Sequence, residues 1–173
     1  GFYPAPRAVL SQPQARFVWR RMPGVGEYRF ELRNEDGERL HTALTRDTTL
    51  LLDLAPLNLA QGPAYAWSVS DAAAPGLLSA DHTFRLAQPA ERQKLDDGAK
   101  ALRQELGTEE SPLTHVMLAQ YYAEYEAFDM ACAAYERAIA LAPEISDYRT
   151  LYADLLTRLN QGAYAAQVRA GGQ

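Results

Sequence analysis

The sequence predicts an α+β chain of two domains, an all-β sandwich followed by all-α helical hairpins, and three observations predict it. Apolar residues recur with period two through the first half and with helical spacing through the second. Charge changes at the same point: residues 1–89 hold nine Arg and nine Asp or Glu, whereas 90–173 hold eight basic and 13 acidic residues and carry the whole net charge of -5. The 173 residues, 47% hydrophobic and 23% charged, suffice for two small domains and exclude a disordered or collagen-like chain. The expected division is an irregular N-terminal segment over 1–14, a β-domain over 15–88 and a helical domain over 89–173.

Gly1 to Gln14 carries Pro4, Pro6 and Pro13 and has neither a starting Met nor a long apolar core, so it reads as a mature or truncated product with room for a leader or anchor upstream. The first strand follows, with Phe17 and Trp19 on one face and Arg16, Val18 and Arg20 on the other. Gly24-Val25-Gly26 is a turn, lacking the helix and third glycine of a phosphate loop. Tyr28, Phe30 and Leu32 then alternate with Glu27, Arg29, Glu31 and Arg33, a half-buried strand with a charged outer face. Asp36-Gly37 tolerates positive φ and turns the chain into a hairpin partner over 38–44. Leu50, Leu52 and Leu54 mark a strand over 48–54, Tyr65, Trp67 and Val69 one over 64–71, and Phe84 with Leu86 the last, over 83–86.

These strands resemble a fibronectin type III or immunoglobulin-like module. The likeness rests on Trp19, on Tyr28-x-Phe30-x-Leu32, and on Leu59-x-x-Gly62-x-x-Tyr65-x-Trp67-x-Val69, which is similar to the tyrosine corner of that fold. It implies that Tyr65 bonds a nearby backbone group as a structural pin and that Trp19 and Trp67 are core.

In the second half, Leu95, Ala99, Leu102 and Leu106 form an apolar stripe on a helix that Gly107 stops. Ser111 and Pro112 cap and open a second helix running to about Glu126, with a turn marked by Phe128 and Asp129. A third helix extends to Leu141 before Pro143, a fourth spans about 146–160, and a short fifth begins at Ala163. The spacing is similar to the tetratricopeptide repeat, a helix-turn-helix unit of 34 residues. Its pattern is met by His115-x2-Leu118-Ala119-x2-Tyr122, Ala131-x3-Tyr135, Ala138 and Pro143, with His115 where the family has tryptophan. Leu151-Tyr152-Ala153-x2-Leu156 begins a second, incomplete unit. A β-domain followed by such helices resembles the extracytoplasmic portion of some bacterial envelope proteins, which implies placement in the periplasm or cell envelope.

The resemblance implies a non-enzymatic protein-binding module whose groove is lined by the first helix of each repeat. On this chain the groove residues are Val116, Gln120, Ala123 and Glu124 in one repeat, Asp154 and Arg158 in the next, and the partner is a protein or peptide. The same positions also suit a solvated face. Two other readings stand beside this one: a rigid spacer that self-associates through an edge strand, and a glycan-binding accessory domain, which requires Trp19 or Trp67 to be exposed.

Nothing in the residues names a reaction. His41, His82 and His115 are scattered, without the His-x3-His spacing of a metal site, so no metal, cofactor or catalytic residue is expected. Ser68 and Ser70 flank Val69 on the outer face without the glycine-rich elbow of a nucleophile. Cys132 lies among Met130, Ala131 and Ala133 and reads as a small core residue. The acidic pairs Asp96-Asp97 and Glu109-Glu110 read as exposed charge, the second near a helix start. Tyr121 and Tyr125, one turn apart, fit either packing or a partner-facing aromatic patch. A pI near 5.2 disfavours nucleic acid. No apolar run reaches the roughly 20 residues of a membrane span.

Overall fold

The structure is a computed structural model that describes residues 4, 7–74, 76, 79–107 and 110–171. It divides into two compact units, Gly1–Leu86 and Ala87–Gln173. Pro6 and Glu109, singled out above, lie outside the described residues.

Among the described residues the first unit has seven strands: β1 (Ala8–Leu10), β2 (Gln14–Val18), β3 (Tyr28–Arg33), β4 (Arg39–Thr45), β5 (Thr49–Asp53), β6 (Ala64–Asp71) and β7 (His82–Leu86). Five of them form a sheet in the order β1-β7-β6-β3-β4, and β2 pairs with β5 in a second sheet. All pairings are antiparallel except β1 with β7. β1 corrects the expectation that residues 1–14 are irregular. Ala8-Val9-Leu10 is a proline-free run, and the open edge of β7 offers its backbone groups partners, so Ala8 registers with Phe84 and the Arg7 amide donates to the Thr83 carbonyl at 2.8 Å.

Alternation decides which side chains the two sheets share. Phe17 from β2 meets Phe30 from β3 at a ring separation of 4.8 Å, Trp67 from β6 at 5.3 Å and Phe84 from β7 at 5.8 Å. Trp19 follows the end of β2, yet its amide donates to the Thr48 carbonyl at 3.0 Å and its ring is 2% exposed; Trp67 has no exposure at all, at 0%. Loops are tied to this cluster by tyrosine hydroxyls. Tyr65 donates to the Ala60 carbonyl at 3.0 Å, and Tyr28 accepts from the Met22 amide at 3.0 Å. Gly37, at φ 78, makes the reversal between β3 and β4, its amide donating to the Asn34 carbonyl at 3.1 Å.

One face differs from expectation. Ser68 and Ser70 do alternate away from the core, but both are buried; Arg33 on the neighbouring strand donates to the Ser68 hydroxyl at 3.0 Å and is itself paired with the Asp81 carboxylate.

Among the described residues the second unit has five helices: α1 (Pro89–Leu106), α2 (Pro112–Glu124), α3 (Phe128–Leu141), α4 (Ser146–Arg158) and α5 (Gly162–Arg169). A capping box opens α1, with the Gln88 amide donating to the Glu91 carboxylate at 2.8 Å, and Gly107 at φ 96 closes it. Of its apolar stripe, Leu95 and Ala99 are buried, whereas Leu106 at the end is 40% exposed. The turn expected at Phe128 and Asp129 falls earlier, over 125–127. Glu126 there takes the left-handed conformation that glycine would have advertised, and Asp129 sits in the first turn of α3, where its charge favours the helix dipole.

His82 packs its ring 4.9 Å from Trp67, and burial depresses its pKa below the ordinary 6.5 by more than the Asp81 carboxylate raises it. A depressed native pKa means that the unfolded chain takes up the proton first. The stability this imidazole contributes is therefore present above pH 6.5 and is lost as pH falls through that value toward the native one. Urea midpoints should drop between about pH 7.5 and about pH 5.5, and His82→Gln should flatten that drop. An unchanged slope in the variant would assign the pH dependence to other groups.

Candidate functional site

The helical unit is built twice over. α2 and α4 start at positions 112 and 146 and end at 124 and 158, and α3 and α5 start at 128 and 162, so each pair is offset by thirty-four residues. The reversals between them match as well. Glu126 at φ 58 and Asn160 at φ 59 stand at the same offset, each followed by an amide that reaches back five residues: Ala127 to the Tyr122 carbonyl at 2.9 Å, Gln161 to the Leu156 carbonyl at 2.8 Å. This double reach-back satisfies helix-end carbonyls and fixes the angle at which the next helix leaves.

Buried positions follow the same offset. Leu118 and Tyr152, Ala119 and Ala153, Tyr122 and Leu156, and Ala131 and Ala165 are all buried. α2 begins where Ser111 accepts from the Thr114 amide at 3.1 Å, with Pro112 supplying a first-turn position that needs no donor. Behind α4, the buried Tyr152 hydroxyl donates to the Glu136 carboxylate at 2.9 Å and Tyr164 to the same oxygen at 3.4 Å, which links α3, α4 and α5. Burial pushes the Tyr152 hydroxyl pKa well above the ordinary range, so it stays a donor.

Gln120 and Glu124 are exposed one turn apart on α2, and Asp154 and Arg158 are exposed one turn apart at the equivalent places on α4. Ala123 is half-buried. Val116 is a correction: at 4% exposure it is part of the packing and is withdrawn from any surface that could meet a partner. Asp154 accepts from Arg169 at 2.7 Å, a pairing from the far end of α5 that no local spacing signals. Glu110 receives Arg137 at 2.8 Å and His115 at 3.3 Å, and those two hydrogen bonds, the arginine's first, hold its carboxyl below the usual range.

The aromatic stripe divides its labour. Tyr121 leans on α1, its hydroxyl 3.4 Å from the Leu95 carbonyl and over Gly98, where any Cβ would collide with it. Tyr125 is 49% exposed, meets the Tyr121 ring tilted at 4.9 Å and carries the Lys94 ammonium 5.7 Å above its ring. Cys132 is buried, as its neighbours suggested. Among the described residues no group of three or more His, Cys, Asp or Glu is placed to hold a metal ion, and no helix is long and apolar enough to cross a membrane.

No family model matches the chain, and no curated protein matches it. Among solved structures it is similar to a Fn3-like protein from Clostridium thermocellum, at 22% identity and a TM-score of 0.36 over 51% of this chain and 90% of that one. It is also similar to a multi-domain immunophilin from Arabidopsis thaliana, at 11% identity and a TM-score of 0.20 over 98% of this chain and 99% of that one.

Two substitutions test the geometry. Gly98→Ala should destabilise the helical unit in the parent chain, yet in a Tyr121→Ala background it should stabilise by about 1 kcal/mol, the ordinary helix preference for alanine; equal effects in both backgrounds would remove Tyr121 from the contact. Glu126→Gly should raise stability by about 0.5–1 kcal/mol, since glycine takes the left-handed conformation without a Cβ penalty. A loss in denaturant midpoint would show that the Glu126 side chain contributes more than its backbone costs.

Proposed function

We propose that this chain is a non-enzymatic protein-binding module: a fibronectin type III or immunoglobulin-like sandwich followed by tetratricopeptide-like hairpins, part of a bacterial envelope or membrane-anchored protein. The observation that carries the reading is the thirty-four-residue offset. It repeats helix starts, left-handed reversals and buried small residues, which is what a tetratricopeptide array needs to hold its first helices side by side. On that reading Gln120, Glu124, Asp154 and Arg158 form the polar lining of the groove, with Ala123 leaving space between them. Alternating amide, acid and base suit a peptide recognised through hydrogen bonds and charge pairs. The Tyr65 hydroxyl bonded to the Ala60 carbonyl supports the sandwich half of the reading.

A second reading, the self-associating spacer, is favoured by Leu44 and Leu51, which are 58% and 60% exposed, the first on β4 at the edge of the five-stranded sheet. The glycan-binding reading has lost its support, because both tryptophans are buried.

The test compares proteins retained by the intact chain with those retained by Gln120→Arg/Arg158→Glu, after both show the same circular dichroism and melting point. A protein held by the parent and lost by the variant places recognition in the helical groove. Identical captures on both would sink that placement. Sedimentation mass that rises with concentration and returns to monomer on Leu44→Lys would put the spacer reading first.

A further inference from the structure

A cleft of about 370 Å³ lies between the last turns of α1 and the first turn of α2. Its α1 wall carries Lys100, Arg103 and Gln104, spaced so that all three side chains share one face of the helix. Opposite lie Thr114 and His115 in the first turn of α2 and Glu110 just before it. The charges on these walls are not equivalent. Glu110 is already bound by Arg137, which donates through Nε at 2.9 Å and Nη2 at 2.8 Å, and by His115 at 3.3 Å. Thr114 is also occupied, its amide and hydroxyl both meeting the Ser111 hydroxyl. By contrast, among the described residues no carboxylate lies within ion-pair distance of Lys100 or Arg103. Two like charges therefore stand one turn apart on the rim of a concave site, in a half of the chain that is otherwise strongly acidic.

A basic residue that merely offsets the dipole of α1 could sit anywhere around its last turn. Here both cations, with an amide beside them, line the same cavity, and Glu110, the acid among its described lining residues, is already paired with Arg137 and His115. We propose that this cleft binds a compact multivalent oxyanion, a phosphate or a small polycarboxylate, held by the Lys100 ammonium and the Arg103 guanidinium and oriented by the Gln104 amide. The guanidinium supplies two parallel donors to adjacent oxygens, the ammonium a point charge, and the amide a donor that rotates to the remaining oxygen. The site is distinct from the proposed peptide groove, since none of its residues is Gln120, Glu124, Asp154 or Arg158, and each can fail without the other.

The experiment titrates inorganic phosphate, and separately citrate, into the intact chain at constant ionic strength set with chloride, reading backbone amide shifts. The expected result is saturable binding with the largest shifts at Lys100, Arg103, Gln104 and His115. Binding should weaken about tenfold or more in Lys100→Gln/Arg103→Gln, since each removes a charge-assisted bond. Saturation by phosphate alone, by citrate alone or by both identifies which oxyanion the cleft takes. Gln104→Glu, which adds an opposing charge and removes no cation, should abolish binding while leaving the melting point in place. Shifts centred on Arg149 or Arg158, equal affinity in the double variant, or no saturation with either anion would overturn the proposal.

Discussion

Close approach of helices at alanine is the constraint on which the second unit depends. Ala119, Ala131, Ala138, Ala153 and Ala165 each have 0% exposure. An alanine contributes little hydrophobic free energy of its own, about 0.8 kcal/mol per buried methylene-sized group. What it provides is space: the backbones of paired helices come near enough for the large neighbours, Leu118, Tyr122, Tyr135 and Tyr152, to fill the remaining volume. A larger residue at any of these five places has nowhere to expand except against backbone, at a cost of roughly 1–3 kcal/mol. The left-handed residues Glu126 and Asn160 serve the same end, because they return the chain at the angle that lets the small faces meet.

The first unit solves its packing in the opposite way, with bulk. Phe17 stands at the centre of an aromatic cluster joined edge-on and tilted to Phe30, Trp67 and Phe84, and Trp19 extends it toward Tyr28 at 5.7 Å. Such geometries place positive ring edges against negative faces and add about 0.5–1.5 kcal/mol per pair beyond area alone. With two sheets contributing to one cluster, β1 can be short and irregularly approached, since its three residues need only seal the edge of β7.

Period and composition made most elements legible. Alternation at Tyr28, Phe30 and Leu32 located β3, and Asp36-Gly37 located its turn, because those signals are local and the physics is local too. β1 is not legible in the sequence, because three residues between prolines carry no periodicity; its strand character comes from a partner seventy-odd positions away. The turn after α2 was displaced because Glu126 adopts a conformation that glycine normally announces. Val116 is buried where the sequence suggests a surface, because helical phase says which way a side chain points but not what covers it. Asp154 and Arg169, and the arrangement of Lys100, Arg103 and Gln104 around a cleft, depend on helices meeting in space, and no spacing along the chain encodes that.

The two halves of the helical unit also act as a comparison within one molecule. Positions that must pack stay apolar at the thirty-four-residue offset: Leu118 with Tyr152, Ala119 with Ala153, Tyr122 with Leu156. Exposed positions at the same offset change their chemistry, Gln120 becoming Asp154 and the acid Glu124 becoming the base Arg158. Packing constrains the first set, because altered volume there costs stability in whichever hairpin carries it. Volume does not constrain the exposed set in this way; of its members Asp154 is engaged within the unit, by Arg169 of α5. A surface made by repeating one hairpin would present the same groups twice, whereas this one presents a charge reversal along its length, from Glu124 to Arg158; on the reading proposed above, that reversal would give an extended peptide a direction.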